Sequence, residues 1–350
     1  MTPLPTRASI IVVNFNGRQH LERCLRSVLP TISSGDEILV VDNGSTDGSA
    51  DWVQREFPSV RVVPSPINGG FGYGCNLGAR HAQGGYLVFL NPDTAVEKGW
   101  LEPLLAALDD RQVALATSLI LLMDDPERVN TAGNNVHFTG LALCRGAGAP
   151  LRALTEPADV AAVSGAAFAV RRSVWEMLGG LDESFFVYVE DTDLSWRARL
   201  AGYVCRWVSE SVVYHRYALR FGEGKIFYQE RNRYQMLLKT LRWPTLLSLL
   251  PALLLTEGVT WGYVLLYQPR RWAEKLRAYL WVIRHWRELM TRRRAVQAIR
   301  RIRDRDLLAV CIHRLDYEQT GAGWVAHWAH RLLDPIFWIL HRLVLLGVWW

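Results

Sequence analysis

The sequence predicts an α/β protein: a mostly parallel, Rossmann-like sheet flanked by helices, followed by an all-helical region. Three observations carry this. Short apolar runs rich in β-branched residues alternate with helical periodicity over the first 120 residues, the pattern of βαβ units. Acidic residues emerge just after two of those runs, at the sheet edge where open α/β folds bind ligands. The chain then changes character near residue 231. Residues 1–230 carry 20 Lys+Arg against 26 Asp+Glu, whereas residues 231–350 carry 20 against 8 and hold ten of the 15 tryptophans.

Taken in order, Ser9 to Val13 is a strand broken by Asn14-Phe15-Asn16-Gly17, and Leu21, Leu25, Val28 and Leu29 follow at helical spacing. Glu37 to Asp42 is a second strand, stopped by Asn43-Gly44. Ser45 or Asp47 can cap the next helix, which carries Trp52, Val53 and Phe57. Val60 to Val63 is a third strand, Gly70 to Ala82 a loop and helix, and Tyr86 to Leu90 a fourth strand. A helix near 98–109 and a strand near 113–121 continue the alternation. The Gly- and Asn-rich stretch 130–150 reads as loops or short hairpins. Short helices follow at Ser173–Leu178 and Asp191–Ala201, then strands at Tyr203–Val208 and Val212–Tyr217.

A chain of 350 residues, half of them apolar, suggests two domains or one large one with an appendage, divided here as 1–235 and 236–350. No positively charged leader with a cleavage site is visible, so secretion is not expected. The five cysteines are scattered and form no CxxC, which points to a reducing compartment and away from a zinc site.

Five motifs could carry chemistry. Asp42, in Val40-Val41-Asp42-Asn43-Gly44, can accept hydrogen bonds from a base or ribose, or simply sit in a turn. The run Asn68 to Arg80 holds glycines at 69, 70, 72, 74 and 78. Glycine permits close backbone approach to a ligand, but this run follows the third strand and lacks the dinucleotide-loop spacing. Arg80 would lie on the following helix, facing phosphates or solvent. In Asn91-Pro92-Asp93, Asp93 offers a hard oxygen to a divalent cation. In Glu190-Asp191, a carboxylate can deprotonate an attacking hydroxyl, or cap a helix. His215, at a strand end, could complete a metal's coordination; imidazole with carboxylate suits Mn²⁺ or Mg²⁺.

In this order the segments resemble family 2 glycosyltransferases of the GT-A fold, most nearly the bacterial rhamnosyltransferase-like branch. The resemblance covers residues 8–235. It rests on Ser9 to Gly17, the Asp42 segment, the Gly-rich run to Arg80, Asn91-Pro92-Asp93, Ser164 to Arg172, and Gly180-Leu181-Asp182 through Asp193-Leu194-Ser195-Trp196-Arg197. It implies an inverting, metal-dependent hexosyltransferase. Asp42, with Asn14, Asn16, Asn68, Asn76, Arg80, Asn91 and Asp93, would bind the nucleotide-sugar donor. Asp93 matches the last acid of the family's metal motif, whose first Asp is replaced by Asn91. Asp191 would be the catalytic base, and His215 the downstream metal ligand. Asp182, Tyr188, Glu190 and Trp196 would meet the acceptor, with core packing equally open to the two aromatics.

The tail adds a location. A basic, Trp- and Leu-rich segment fits an anionic membrane surface better than nucleic acid, which would not explain the apolar runs. Trp243 to Gln268 holds one charge, Glu257, and is long enough to span a bilayer, but Pro244, Pro251, Gly258 and Gly262 interrupt it. Pro335 to Trp350 is apolar except for His341 and Arg342. Three readings stand: a packed helical subdomain, helices in the headgroup plane, or a span at 244–268. The second, a peripheral or monotopic protein at the cytoplasmic membrane face, suits a lipid-linked saccharide or cell-surface glycan acceptor. The rival reading is a non-catalytic nucleotide-sugar-binding scaffold. Oligomeric state is not encoded in any of these features.

Overall fold

The computed structural model describes residues 6–154, 158–217, 224–320 and 323–350. The chain divides into two compact units. Unit 1 comprises Met1–Asn134, Cys144–Ala198 and Tyr203–Ala218; unit 2 comprises Asn135–Leu143, Arg199–Gly202 and Leu219–Trp350.

Unit 1 opens with β1 (Ala8–Asn14), α1 (Arg18–Val28), β2 (Asp36–Asp42), α2 (Ser49–Glu56), β3 (Arg61–Pro64), α3 (Phe71–His81) and β4 (Tyr86–Leu90). It continues through β5 (Thr94–Val96), α4 (Leu101–Ala106), β6 (Val113–Leu122) and β7 (Asp125–Thr131). After a small hairpin, β8 (Asn134–Val136) and β9 (Ala142–Cys144), most of which belongs to unit 2, unit 1 resumes with β10 (Ala158–Val160), β11 (Ala167–Arg171), α5 (Arg172–Leu178), α6 (Glu190–Leu200) and β12 (Val204–His215). Ten of these strands form one sheet in the order β10-β12-β6-β11-β4-β1-β2-β3, with β5 on β12 and β7 on β6. β1, β2, β3 and β4 run parallel, as do β6 and β12. β11 lies antiparallel between the two groups. The two strands expected at 203–217 are one, whose register against β6 shifts between Val208 and Val212.

All seven residues of β1 are buried, as a strand covered on both faces requires. The two faces are served by alternate side chains. Ile10 and Val12 join Leu21, Leu25 and Val28 of α1 in the main core, while Ile11 and Val13 meet α3. A Cβ on Gly78 would stand 2.5 Å from the Ile11 methyl and 2.9 Å from that of Val41. The glycine run therefore lets α3 approach the sheet. Gly74 and Gly78 are packing residues.

Unit 2 contains α7 (Lys225–Thr240), α8 (Trp243–Ser248), α9 (Leu250–Tyr267), α10 (Trp272–Arg284), α11 (Trp286–Ala298), α12 (Asp304–Ala309) and α13 (Gly323–Gly347). The apolar stretch after residue 243 is thus two helices, and the apolar C-terminus belongs to a 25-residue helix with Pro335 inside it. α7 crosses the division expected at 235. Among the described residues, α9 is the one helix long and apolar enough to cross a membrane.

Gly78→Val should destabilise unit 1 by about 1–3 kcal/mol, the usual cost of forcing atoms into a filled core. Chemical denaturation should show a lower midpoint with an unchanged slope.

Candidate active site

Strand register gathers the site. Asn14 sits opposite Asp42 and Val12 opposite Leu90 in parallel pairs, and Leu122 pairs with His215. β11 runs back from the same edge, with Ala167 beside Leu90. The carboxyl ends of β1, β2, β4, β6 and β12 therefore share one edge of unit 1, and Asn14, Asp42, Asp93 and His215 emerge along it.

Asp93 and His215 are brought face to face by a local device. Leu90 ends β4, and Pro92, which has no N–H to offer the ladder, allows the chain to turn. The Thr94 hydroxyl donates to Asn91 O at 2.7 Å. β5 then pairs antiparallel with β12, Thr94 against His215, and Arg216 N donates to Asp93 O at 3.0 Å. His215 Nε2 stands 3.3 Å from Asp93 Oδ1. On its other side, Nδ1 lies 2.8 Å from Asn130 Oδ1. An amide oxygen only accepts, so Nδ1 carries a proton and Nε2 is the nitrogen turned to Asp93. Burial pushes the Asp93 pKa up, but the hydrogen bond and charge of His215 outweigh it and hold the carboxyl below its usual value. A cation bound between the two would take the place of the proton on Nε2. The donor types suit a divalent metal. Among the described residues no cluster of three or more His, Cys, Asp or Glu could hold one, so the protein would supply two donors.

Asp191 lies in the first turn of α6. Its Oδ2 accepts from Gly165 N at 2.7 Å and Asn134 Nδ2 at 3.3 Å. Its Oδ1 accepts from Thr192 N at 2.6 Å and the Thr192 hydroxyl at 3.2 Å. Burial nevertheless raises its pKa above the ordinary value. The turn that supplies Gly165 also supplies Ala166, whose carbonyl accepts from Asn91 N at 3.0 Å. One short turn thus touches both the Asn91-Pro92-Asp93 segment and Asp191. Glu190, next in the chain, is buried, with Oε2 unpartnered among the described residues; burial and the adjacent Asp191 push its pKa up to about 8. Tyr188 and Val189 precede the pair at φ values of 69° and 72°, a left-handed backbone that costs a β-branched residue energy and recurs at functional sites.

On the β1–β2 side, Asn14 donates to Ser49 Oγ at 2.8 Å and Ser45 Oγ at 3.2 Å, leaving its own Oδ1 without a partner among the described residues. Asp42 Oδ1 is likewise buried and unpartnered. The exposed Asn16 accepts from Thr46 N at 2.8 Å, and with Arg18, Glu22, Asp47 and Trp52 it lines a cavity of about 560 Å³. Asn68 Oδ1 accepts from Gly70 N and Asn43 Nδ2.

Other expected contacts fall elsewhere. Trp196 is fully buried, so it is a core residue and no acceptor contact is open to it. Asn76 spends its amide on Leu181 O, Leu181 N and Glu183; it ties α3 to the 181–183 segment and is not presented to a ligand. Arg80 is exposed and 3.8 Å from Glu183. Asp182 accepts from Ser184 N and Oγ, capping a short turn, and Tyr188 stays partly exposed. Sequence reasoning missed Asn43, Asn130, Asn134 and Gly165. Each lies in a loop or at a strand end, where only tertiary contact reveals a role.

A parallel-edged sheet of this order, with acids on its carboxyl edge, has the GT-A fold. Residues 9–176 match the family model for glycosyl transferase family 2. They form a domain of that family, and the chain is a glycosyltransferase. Among its relatives is the N-acetylglucosaminyl-diphospho-decaprenol L-rhamnosyltransferase of Mycobacterium tuberculosis, 29% identical over 229 residues, which are 59% of this chain and 75% of that one. Two solved structures share the fold. GalNAc-T7 with UDP, GalNAc and Mn²⁺ superposes at a TM-score of 0.57 and 20% identity, over 67% of this chain and 48% of that one. A Pyrobaculum calidifontis mannosyltransferase with GDP-Man and Mn²⁺ does so at 0.52 and 17%, over 98% and 86%.

Asn134 donates to the ionised form of Asp191, so Asn134→Ala should raise that group's pKa further. Activity should fall at acidic pH and recover to near wild type on the alkaline plateau. A kcat/KM–pH profile with an unmoved acid limb would remove Asn134 from this role.

Proposed function

We propose that this glycosyltransferase is inverting and metal-dependent. It would move a sugar from a dTDP-rhamnose or UDP-sugar type donor to a hydroxyl of a lipid-linked or cell-surface glycan, at the cytoplasmic face of the membrane. The observation that carries the reading is the 164–166 turn, which joins the Asn91-Pro92-Asp93 segment to Asp191 along the carboxyl edge. The Mycobacterium relative acts on a diphospho-decaprenol sugar by its name, and the Mn²⁺ complexes of the two fold relatives support a divalent cation.

Each residue then has a task. Asn14, Asn16, Asp42 and Asn68 take the base and ribose, using the two unpartnered oxygens at Asn14 and Asp42. Asp93 and His215 hold the cation, with Asn130 fixing the imidazole. When bound, Mn²⁺ or Mg²⁺ supplies positive charge to the diphosphate. Asp191 receives the proton of the acceptor hydroxyl as its oxygen bonds to the anomeric carbon and the bond from that carbon to the diphosphate breaks. One displacement inverts the configuration. Four hydrogen bonds orient Asp191, and its raised pKa strengthens it as a base.

Asp191→Asn should lower kcat by at least about a thousandfold, the upper range of a general base, while donor binding measured by calorimetry stays within a few fold. Turnover within tenfold of wild type would take the base role from Asp191. Dialysis against EDTA should abolish transfer and Mn²⁺ restore it. In His215→Ala the Mn²⁺ concentration for half-maximal rate should rise tenfold or more.

A further inference from the structure

Exposed apolar surface is concentrated in one part of the molecule. Of the 26 large hydrophobic side chains exposed among the described residues, 21 lie beyond residue 242. They follow helical spacing. On α13, Trp328, Leu332, Ile336, Ile339, Leu343 and Leu346 recur at steps of four or three, opposite the buried Phe337, His341 and Val344. On α10, Trp272, Leu276, Leu280 and Ile283 share a face. On α9, Leu250, Leu254 and Leu265 do the same. α9 contacts both α10 and α13, so the three stripes lie on neighbouring helices. Exposed arginines flank them: Arg277 and Arg284 on α10, Arg331 and Arg342 on α13.

The interior beneath is ionic. Glu257, near the middle of α9, binds Arg233 and Tyr234 of α7 and Tyr279 of α10. Lys275 Nζ, fully buried, lies 3.0 Å from Glu257, 3.1 Å from Glu230 and 2.8 Å from the Thr260 hydroxyl. Arg233 reaches Glu230 at 2.8 Å. If α9 crossed a bilayer it would either abandon this quartet, leaving Arg233 and Lys275 with one acid between them, or drag α7 and α10 with their arginines into hydrocarbon. Both are costly. Its 18 residues also rise only about 27 Å, short of a hydrocarbon core of about 30 Å.

We infer that unit 2 is a monotopic platform for an anionic phospholipid bilayer, in which α9 lies along the surface and the stripes of α9, α10 and α13 enter the acyl boundary between phosphate-binding arginines. The inference rests on the membrane location proposed above and specifies the surface that meets the lipid. Charge selects this occupant over a second copy of the chain, which would bring arginine flank against arginine flank, whereas lipid phosphates neutralise them.

The test uses the full chain in two arms. In flotation, the protein should bind vesicles of phosphatidylcholine with 25% phosphatidylglycerol at least tenfold more tightly than pure phosphatidylcholine vesicles. Leu332→Glu with Leu343→Glu should cost a further tenfold or more, and thermal shift by nucleotide sugars should stay unchanged. Equal binding of the variant, or loss of a dimer in its place without vesicle binding, overturns the platform. In the second arm, Ser248→Cys and Gln268→Cys mark the two ends of α9 in sealed inside-out membrane vesicles. Labelling of both by an impermeant maleimide, mapped by mass, supports the in-plane helix; labelling of only one overturns it. Donor-induced thermal shift reports on the catalytic reading separately, so either can fail alone.

Discussion

The arrangement of the site depends on the pairing of two short segments far apart in sequence. Three residues of β5 bond to the last three of β12, and that ladder alone fixes Asp93 opposite His215. Side chains alternate faces along a strand, so a one-residue slip would turn His215 to the other side of the sheet and separate the pair. The constraint propagates. β12 is held in register by its long parallel pairing with β6, and β6 by β11. The turn preceding β11 carries Ala166 and Gly165, which meet Asn91 and Asp191. These linked ladders together position a carboxylate, an imidazole and a second carboxylate that no local sequence feature could align.

Crowding acids on one edge has an electrostatic consequence. Burial raises the pKa of Asp191 and, with Asp191 beside it, lifts Glu190 to about 8. Two adjacent buried carboxyls do not both ionise readily near neutrality. The asymmetry between them is structural. Asp191 accepts four hydrogen bonds, two of them from backbone N–H, whereas the Glu190 Oε2 has no partner among the described residues. These hydrogen bonds favour the charge on Asp191 over Glu190.

Much of this was legible in the sequence because strand ends announce themselves. The apolar runs before Asp42 and Asp93 placed both acids on the carboxyl edge, and the helical pattern after Glu190 placed Asp191 in a first turn. What failed was type-based inference about individual side chains. Trp196 was placed at the acceptor, but Thr192 to Leu200 of its helix are all buried, so it falls in the core. Asn76 looked like a donor contact, but its amide was needed to tie α3 to residues 181–183. The glycine run suggested ligand approach, yet Ile11 and Val41 occupy the space in front of Gly78. Asn130 and Asn134 carry no local signal, since their importance comes from His215 and Asp191, more than fifty residues away.

Unit 2 inverts the usual distribution of polarity. Its helices bury arginine, lysine and glutamate between α7, α9 and α10, and present leucine, isoleucine and tryptophan outward. In water that order is unfavourable on both counts: buried ions lose hydration, and exposed apolar surface stays wet. A single buried charge could be a functional exception, but here two acids and two bases balance within one cluster while the surface residues recur at helical spacing on three helices. The platform inferred above, whose outer medium is apolar, would remove the second of these costs. The same reasoning accounts for Glu257, which sits in the most apolar segment of the chain yet is held well below the usual carboxylate range: burial alone would raise its pKa, but Arg233 and Lys275 bring it down to about 2. Its charge is directed inward, toward fixed cations, and the leucines of the same helix are left to face outward.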